Sequence, residues 1–99
     1  MTYSVQQWER FIRDAALHTE RVVFTTHALF RMRARLITRL VVLTVLRKGR
    51  IRRTPEPNMI RGTTECRMEY FVAGRQIAVV VAVAGEDRNV IVVTAMEIS

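Results

Sequence analysis

The hydrophobic residues of this chain change their spacing near its middle. In the first half they recur every three or four residues, the period of a helix with one buried side. Residues 4–19 show this pattern, with Ser4 as a candidate N-cap. Two more helices are predicted at about 26–35 and 38–48, opened by Thr25 or Thr26 and by Thr38 and followed by Gly49. Between the first two helices, residues 22–24 are strand-like.

The second half has the two-residue period of β-strands. Strands are predicted at 64–73, 76–84 and 90–98, and Ile51 begins a short edge strand. Residues 76–84 are apolar at every position after Gln76, which predicts a central strand. Residues 54–63, 73–75 and 85–89 are predicted as loops or turns. The expectation is a single α+β domain over residues 1–99, with the N-terminal helices on one face of a small sheet of three or four antiparallel strands.

The charge of the chain is concentrated in one segment. The sequence carries sixteen cations against nine anions, a net charge of +7, and Lys48 is its only lysine. Residues 21–61 hold eleven cations and one anion, Glu56, for a local net charge of +10. Such a segment attracts a polyanion or an acidic protein, and arginine suits phosphate. A basic surface that is only solvated is the alternative interpretation.

Several functional classes find no support in the sequence. Cys66 is the only cysteine, so no internal disulfide and no cysteine-based metal cluster can form. We expect neither a metal nor a cofactor, because no phosphate-binding, dinucleotide-binding or zinc-protease motif is found. No signal peptide or membrane-length apolar run is visible, so the cytoplasm is the expected location.

The second predicted helix carries the strongest candidate residues. His27, Arg31 and Arg35 are spaced at i, i+4 and i+8, which places them on one helix face. A neutral imidazole in the first helical turn can act as a base or proton shuttle, and Arg31 lies close enough to share a substrate phosphate. The alternative is that His27 only caps or packs at the helix start.

Two further strands contribute candidates. Arg67 and Glu69 are two residues apart and therefore lie on one side of their strand, where the arginine can hold phosphate and the carboxylate can accept a proton. An ordinary pair of exposed charges is the alternative. Thr94 interrupts an apolar strand, either as a hydroxyl facing a cleft or simply as a good strand former.

Three segments resemble a known family. The string Phe24-Thr25-x-His27-Ala28-x-x-Arg31-Met32-x-x-Arg35 resembles the signature of the domain of unknown function 4258 family. Val45-Leu46-Arg47-x-Gly49 and residues 90–94 resemble its helix end and its last strand. The resemblance covers about 22–98, with 1–20 as an additional N-terminal helix. The family usually has glycine where this chain has Leu36.

The resemblance implies a fold similar to that of barnase-like and RelE-like or BrnT-like ribonucleases, some of which are toxins of toxin–antitoxin pairs. It matches His27, Arg31, Arg35 and Thr94 to polar positions of the family's motif, and Arg67 to a strand arginine. The expected function is metal-independent RNA cleavage, in which the 2′-hydroxyl attacks the adjacent phosphate. His27 or Glu69 would move the proton, and Arg31, Arg67 and Arg35 would stabilise the transition state. RNA and a small acidic antitoxin are the expected partners.

A non-catalytic module is the alternative function. Such a module would bind nucleic acid or an acidic protein as part of a mobile element, and its basic segment would serve affinity alone. A helix-turn-helix formed by the second and third helices is disfavoured, because its turn lacks glycine and apolar strands follow.

Overall fold

A computed structural model describes residues 3–84 and 87–98. Its elements in chain order are α1 (Val5–Leu17), β1 (Val22–Phe24), α2 (Thr26–Ala34), α3 (Arg39–Lys48), β2 (Arg50–Ile51), β3 (Glu56–Asn58), β4 (Thr63–Val72), β5 (Arg75–Ala84) and β6 (Val90–Glu97), with a 3-10 turn at Thr19–Arg21. The predicted α+β class is confirmed. The predicted loop at 85–89 begins on residues that lie outside the described part.

The sheet is larger than the sequence suggested. Within the described residues it has six strands, in the order β1-β6-β5-β4-β2, and β3 pairs with residues 63–65 of β4. The prediction of three or four strands was therefore wrong. The edge strand predicted at Ile51 is β2, which has only two residues. The strands beyond the predicted number are β3, which lies within the predicted loop at 54–63, and β1, over the strand-like residues 22–24. Because β1 pairs in parallel with β6, the sheet is mixed.

The helices begin where the sequence places their caps. Ser4 and Gln7 form a reciprocal capping box on α1. The side chains of Thr25 and Thr38 accept the backbone N–H groups of Ala28 and Val41 at the starts of α2 and α3. Each cap satisfies a donor that the first helical turn leaves unpaired.

One face of the sheet is covered by helices. On β5, Ile77, Val79 and Val81 are fully buried, and the core joins them to Val42, Val45 and Leu46 of α3. α1 packs on α3, and α2 packs along β6. Gly49 ends α3 at a close approach to β4, because a Cβ there would lie 2.5 Å from the Val45 oxygen and 2.8 Å from the Glu69 oxygen.

The turn between α2 and α3 has a backbone conformation that favours glycine, although Leu36 occupies that position. Leu36 has φ 58°, in the left-handed region. The N–H groups of Leu36 and Ile37 donate to the carbonyls of Arg33 and Met32, which is the Schellman pattern of a helix end. The Leu36 side chain is exposed, so burial of apolar surface does not offset the cost of the unfavourable φ.

Candidate functional site

The other side of the sheet is not covered by α3, and we call it the open face. On β4 it carries Glu65, Arg67, Glu69 and Phe71, which alternate with the inward Cys66 and Met68. Burial raises the pKa of the inward Cys66 thiol from 9.0 to about 12, so this thiol stays protonated at neutral pH. On β4, the charged side chains therefore lie on the open face and not on the inward face.

Strand pairing arranges the open face in rows. Glu65, Ala82 and Ile91 are paired across β4, β5 and β6 and form the first row. The second row is Arg67, Val80 and Thr94. Neighbouring rows on one face of a strand are roughly 7 Å apart. Arg67 and Thr94 thus lie on either side of Val80. Both are candidate site residues predicted from the sequence, and strand pairing places them in the same row.

A β-bulge puts Thr94 in that row. Val92 pairs with Val81 and Thr94 pairs with Val80, so β6 has one extra residue, Val93, at this point. Strict alternation from the buried Val92 would turn Thr94 inward. The bulge instead turns Thr94 to the open face and buries Ala95. The apolar run of β6 gives no signal of this shift.

The first row forms part of the floor of a cleft of about 580 Å³. We call it the main cleft, and its lining residues are Thr25, His27, Asn58, Arg61, Thr63, Glu65, Ala82, Ile91 and Val93. His27 is exposed on the α2 side, where the N-cap Thr25 also donates to the Val92 carbonyl and ties α2 to β6. The predicted histidine is therefore accessible at the border of the sheet.

Two residues of the main cleft were missed by the sequence reasoning. Arg61 lies in the β3–β4 hairpin, whose turn is held by the Asn58 side chain accepting the Arg61 N–H. Glu65 is exposed and also lines a second cleft of about 150 Å³ with Arg53 and Arg67, which we call the side cleft. The alternation of β4 placed Glu65 on the polar face, but nothing local distinguished it from Glu69.

Arg67 and Glu69 form an ion pair rather than two free groups. Arg67 Nε lies 3.1 Å from Glu69 Oε2, at an angle that makes no hydrogen bond, and the side chains are 17% and 9% exposed. The carboxylate predicted to accept a proton is thus largely covered. Glu65, in contrast, lines the same cleft as His27.

Arg31 and Arg35, which were predicted to share one face of α2, lie in two different environments. Arg35 donates from one nitrogen to Thr94 Oγ1 at 3.3 Å and to the Ala95 carbonyl at 2.8 Å, where β1 no longer pairs with β6. Arg31 is exposed one turn after His27 and is not among the residues lining the main cleft. Arg75, at the start of β5, donates to the carbonyls of Arg35 and Leu36 and so fixes the end of α2.

Within residues 3–84 and 87–98, no three His, Cys, Asp or Glu side chains are grouped so that they could hold a metal ion. None of the helices described is long and apolar enough to cross a membrane.

The family signature coincides with the elements that build the cleft. The family model for the domain of unknown function (DUF4258) matches residues 24–97, from the end of β1 to the end of β6. No curated protein and no solved structure matches the chain. Because the family match spans well over half of the chain, this protein belongs to the domain of unknown function family DUF4258.

Proposed function

We propose that this protein is an endoribonuclease that acts on the open face of its sheet without a metal ion, in the manner of RelE-like toxins. The observation that carries the proposal is that His27, Arg61 and Glu65 line one cleft beside the row of Arg67 and Thr94. A carboxylate and an imidazole beside arginines are groups that can serve phosphodiester cleavage by an internal nucleophile.

The chemistry needs two proton transfers. The 2′-oxygen forms a bond to the adjacent phosphorus as its proton leaves, and the bond from phosphorus to the 5′-oxygen breaks as that oxygen gains a proton. The products are a 2′,3′-cyclic phosphate and a 5′-hydroxyl. In the proposal the Glu65 carboxylate accepts the first proton and the His27 imidazolium supplies the second, from the two sides of the main cleft.

Arginines supply the positive charge for the transition state. Arg61 is in the main cleft, and Arg67 lies one row beyond Glu65. Arg35 is held on Thr94 and Ala95 and serves in the proposal to orient the Thr94 hydroxyl. Fixed cations aimed at developing negative charge are among the strongest contributions to catalysis. Glu69 neutralises Arg67 in the free protein, so phosphate binding would compete with that ion pair.

In the proposal, the surface of α2, α3 and β2 supplies affinity for RNA. Arg31, Arg33, Arg39, Lys48 and Arg50 are exposed, and none of them has a salt-bridge partner among the described residues. We propose that these cations attract cytoplasmic RNA in a salt-dependent way. A small acidic antitoxin would cover the same charge when the protein is held inactive.

The test is incubation of purified protein with cellular RNA in EDTA and, in a separate reaction that contains Mg²⁺, with ribosomes. We expect cleavage products ending in a cyclic phosphate, and a loss of about 10²–10⁴-fold in rate for His27→Ala. His18→Ala is the matched control, because His18 is also exposed but lies at the end of α1. Intact RNA under both conditions, or equal activity of the two histidine variants, would contradict the proposal.

The alternative, a non-catalytic basic module, is favoured by the covered state of Arg67 and Glu69. It predicts salt-dependent RNA or acidic-protein binding that His27→Ala leaves unchanged, with no cleavage at any protein concentration. The same preparations, measured for binding in parallel, therefore separate the two functions.

A further inference from the structure

Exposed apolar side chains lie close in sequence to residues that line the main cleft, both on α2 and in the β3–β4 hairpin. On the α2 side, Phe30 is 68% exposed. On the hairpin side, Met59 and Ile60 are 89% and 98% exposed. Large apolar groups so far out of the core are informative when they cluster beside a cleft, because such patches mark binding surfaces.

Their positions relative to the cleft follow from the backbone. Phe30 is three residues after His27 on α2, so the two side chains are neighbours on one side of the helix. Met59 and Ile60 lie between Asn58 and Arg61, both of which line the cleft. Asn58 and Gly62 fix that turn, since Asn58 accepts the N–H groups of Arg61 and Gly62 with its side-chain and backbone oxygens. The apolar tip is thus held beside the cleft.

We infer that the main cleft takes single-stranded RNA, with unpaired bases packed on Phe30 on one side and on Met59 and Ile60 on the other. This inference rests on the RNA binding of the proposed function and names its substrate class. A base offers an apolar face only when it is not stacked within a duplex. A duplex presents phosphates and riboses, for which the exposed arginines suffice and the apolar side chains have no use.

The combination of charged and apolar groups, rather than charge alone, favours RNA over an acidic protein at this place. The cleft between the two apolar borders holds Arg61, His27 and Glu65, and Arg67 lies with Arg53, Glu56 and Glu65 in the adjoining side cleft. The combination of cations in the groove and apolar groups at its borders matches a strand whose phosphates point inward and whose bases spread outward. The apolar floor residues Ala82, Ile91 and Val93 give a further surface for a base or ribose.

The experiment measures binding to a short labelled strand with 2′-fluoro sugars, which lack the attacking hydroxyl, and to the duplex of the same sequence. We expect the wild-type protein to prefer the single strand. Phe30→Ala should weaken single-strand binding about 5- to 100-fold, as should Met59→Ser with Ile60→Ser, and both should leave duplex binding within about twofold. Leu40→Ala is the matched control, because Leu40 is also 68% exposed but lies in the first turn of α3.

The outcomes separate this inference from the proposed function. Single-strand binding that survives both substitutions, or equal losses on strand and duplex, would overturn it even if the wild-type protein cleaves RNA. Selective loss would support it even if cleavage is absent. Failure to bind either probe would overturn both. Thermal unfolding of each variant checks folding, and we expect no change because all three side chains are exposed.

Discussion

The two faces of β5 have nearly the same composition and different roles. Ile77, Val79, Val81 and Val83 point to the helices and are at most 3% exposed. On the other side, Ala78 is fully buried, whereas Val80, Ala82 and Ala84 are half-buried. The inward face forms the core, and from Val80 onward the outward face lies among the charged residues of the open face. The difference shows that an apolar strand can supply core packing on one side and the floor of a cleft on the other.

The largest effect is expected at the edge of the covered face. Gly49→Ala would place a Cβ 2.5 Å from the backbone oxygen of Val45 and 2.8 Å from that of Glu69. Because both neighbours are backbone atoms, α3 must shift away from β4, at a cost of about 3 kcal/mol in the free energy of unfolding. Chemical denaturation measures this loss.

Gly74→Ala is the control for this prediction, because an added Cβ there has space around it. No atom lies within 4 Å of a Cβ at Gly74, although its φ of +75° makes any side chain there strained. Only the cost of that backbone angle, about 1 kcal/mol, is expected. If the two variants were equally stable, the close packing of α3 on β4 would not be the reason for glycine at position 49.

Two adjacent valines compare the faces directly. Val79→Ala removes two buried methyl groups and should cost about 2 kcal/mol of stability. Val80→Ala, one residue on, changes a half-buried side chain between Arg67 and Thr94 and should cost less than about 1 kcal/mol. RNA binding should show the reverse order, with the larger loss in Val80→Ala. Equal losses of stability would mean that the open face is also core.

A small gain in stability is expected at the turn between α2 and α3. Leu36→Gly should stabilise the protein by about 1 kcal/mol, because glycine adopts the φ of 58° without steric cost and no buried contact is lost. Thermal unfolding measures the gain, and Leu40→Gly, in the first turn of α3, should show a loss instead. A destabilised Leu36→Gly would indicate that the exposed leucine makes contacts in solution.

Local patterns were enough to predict most of the elements. The threonine caps, the three helices and the alternating strand β4 depend on near neighbours in sequence, and they lie within a residue or two of their predicted bounds. The parallel pairing of β1 with β6 joins residues 22–24 to 90–92, and no local signal reports such a pairing. β3 was missed because Pro55 and Pro57 resemble loop residues, whereas Pro57 is tolerated in a short strand at the edge.

The candidate site was predicted in part. His27 was placed correctly on an accessible helix face at the border of the sheet, since helical spacing fixes faces. The grouping of Glu65 and Arg61 with His27 depends on the β3–β4 hairpin and on a tertiary cleft, neither of which the sequence pattern predicted. The ion pair of Glu69 with Arg67 and the low exposure of both side chains are tertiary features that spacing alone does not decide.

The extra residue in β6 has a consequence for comparing members of this family. Removal of Val93 would make β6 a regular strand in which Thr94 directly follows the buried Val92, so Thr94 would stay on the open face and Ala95 would stay buried. In an alignment such a change is a gap of one position within an apolar run. Relatives that differ by that single gap would therefore lack the bulge and Val93 but keep the other open-face residues of β6.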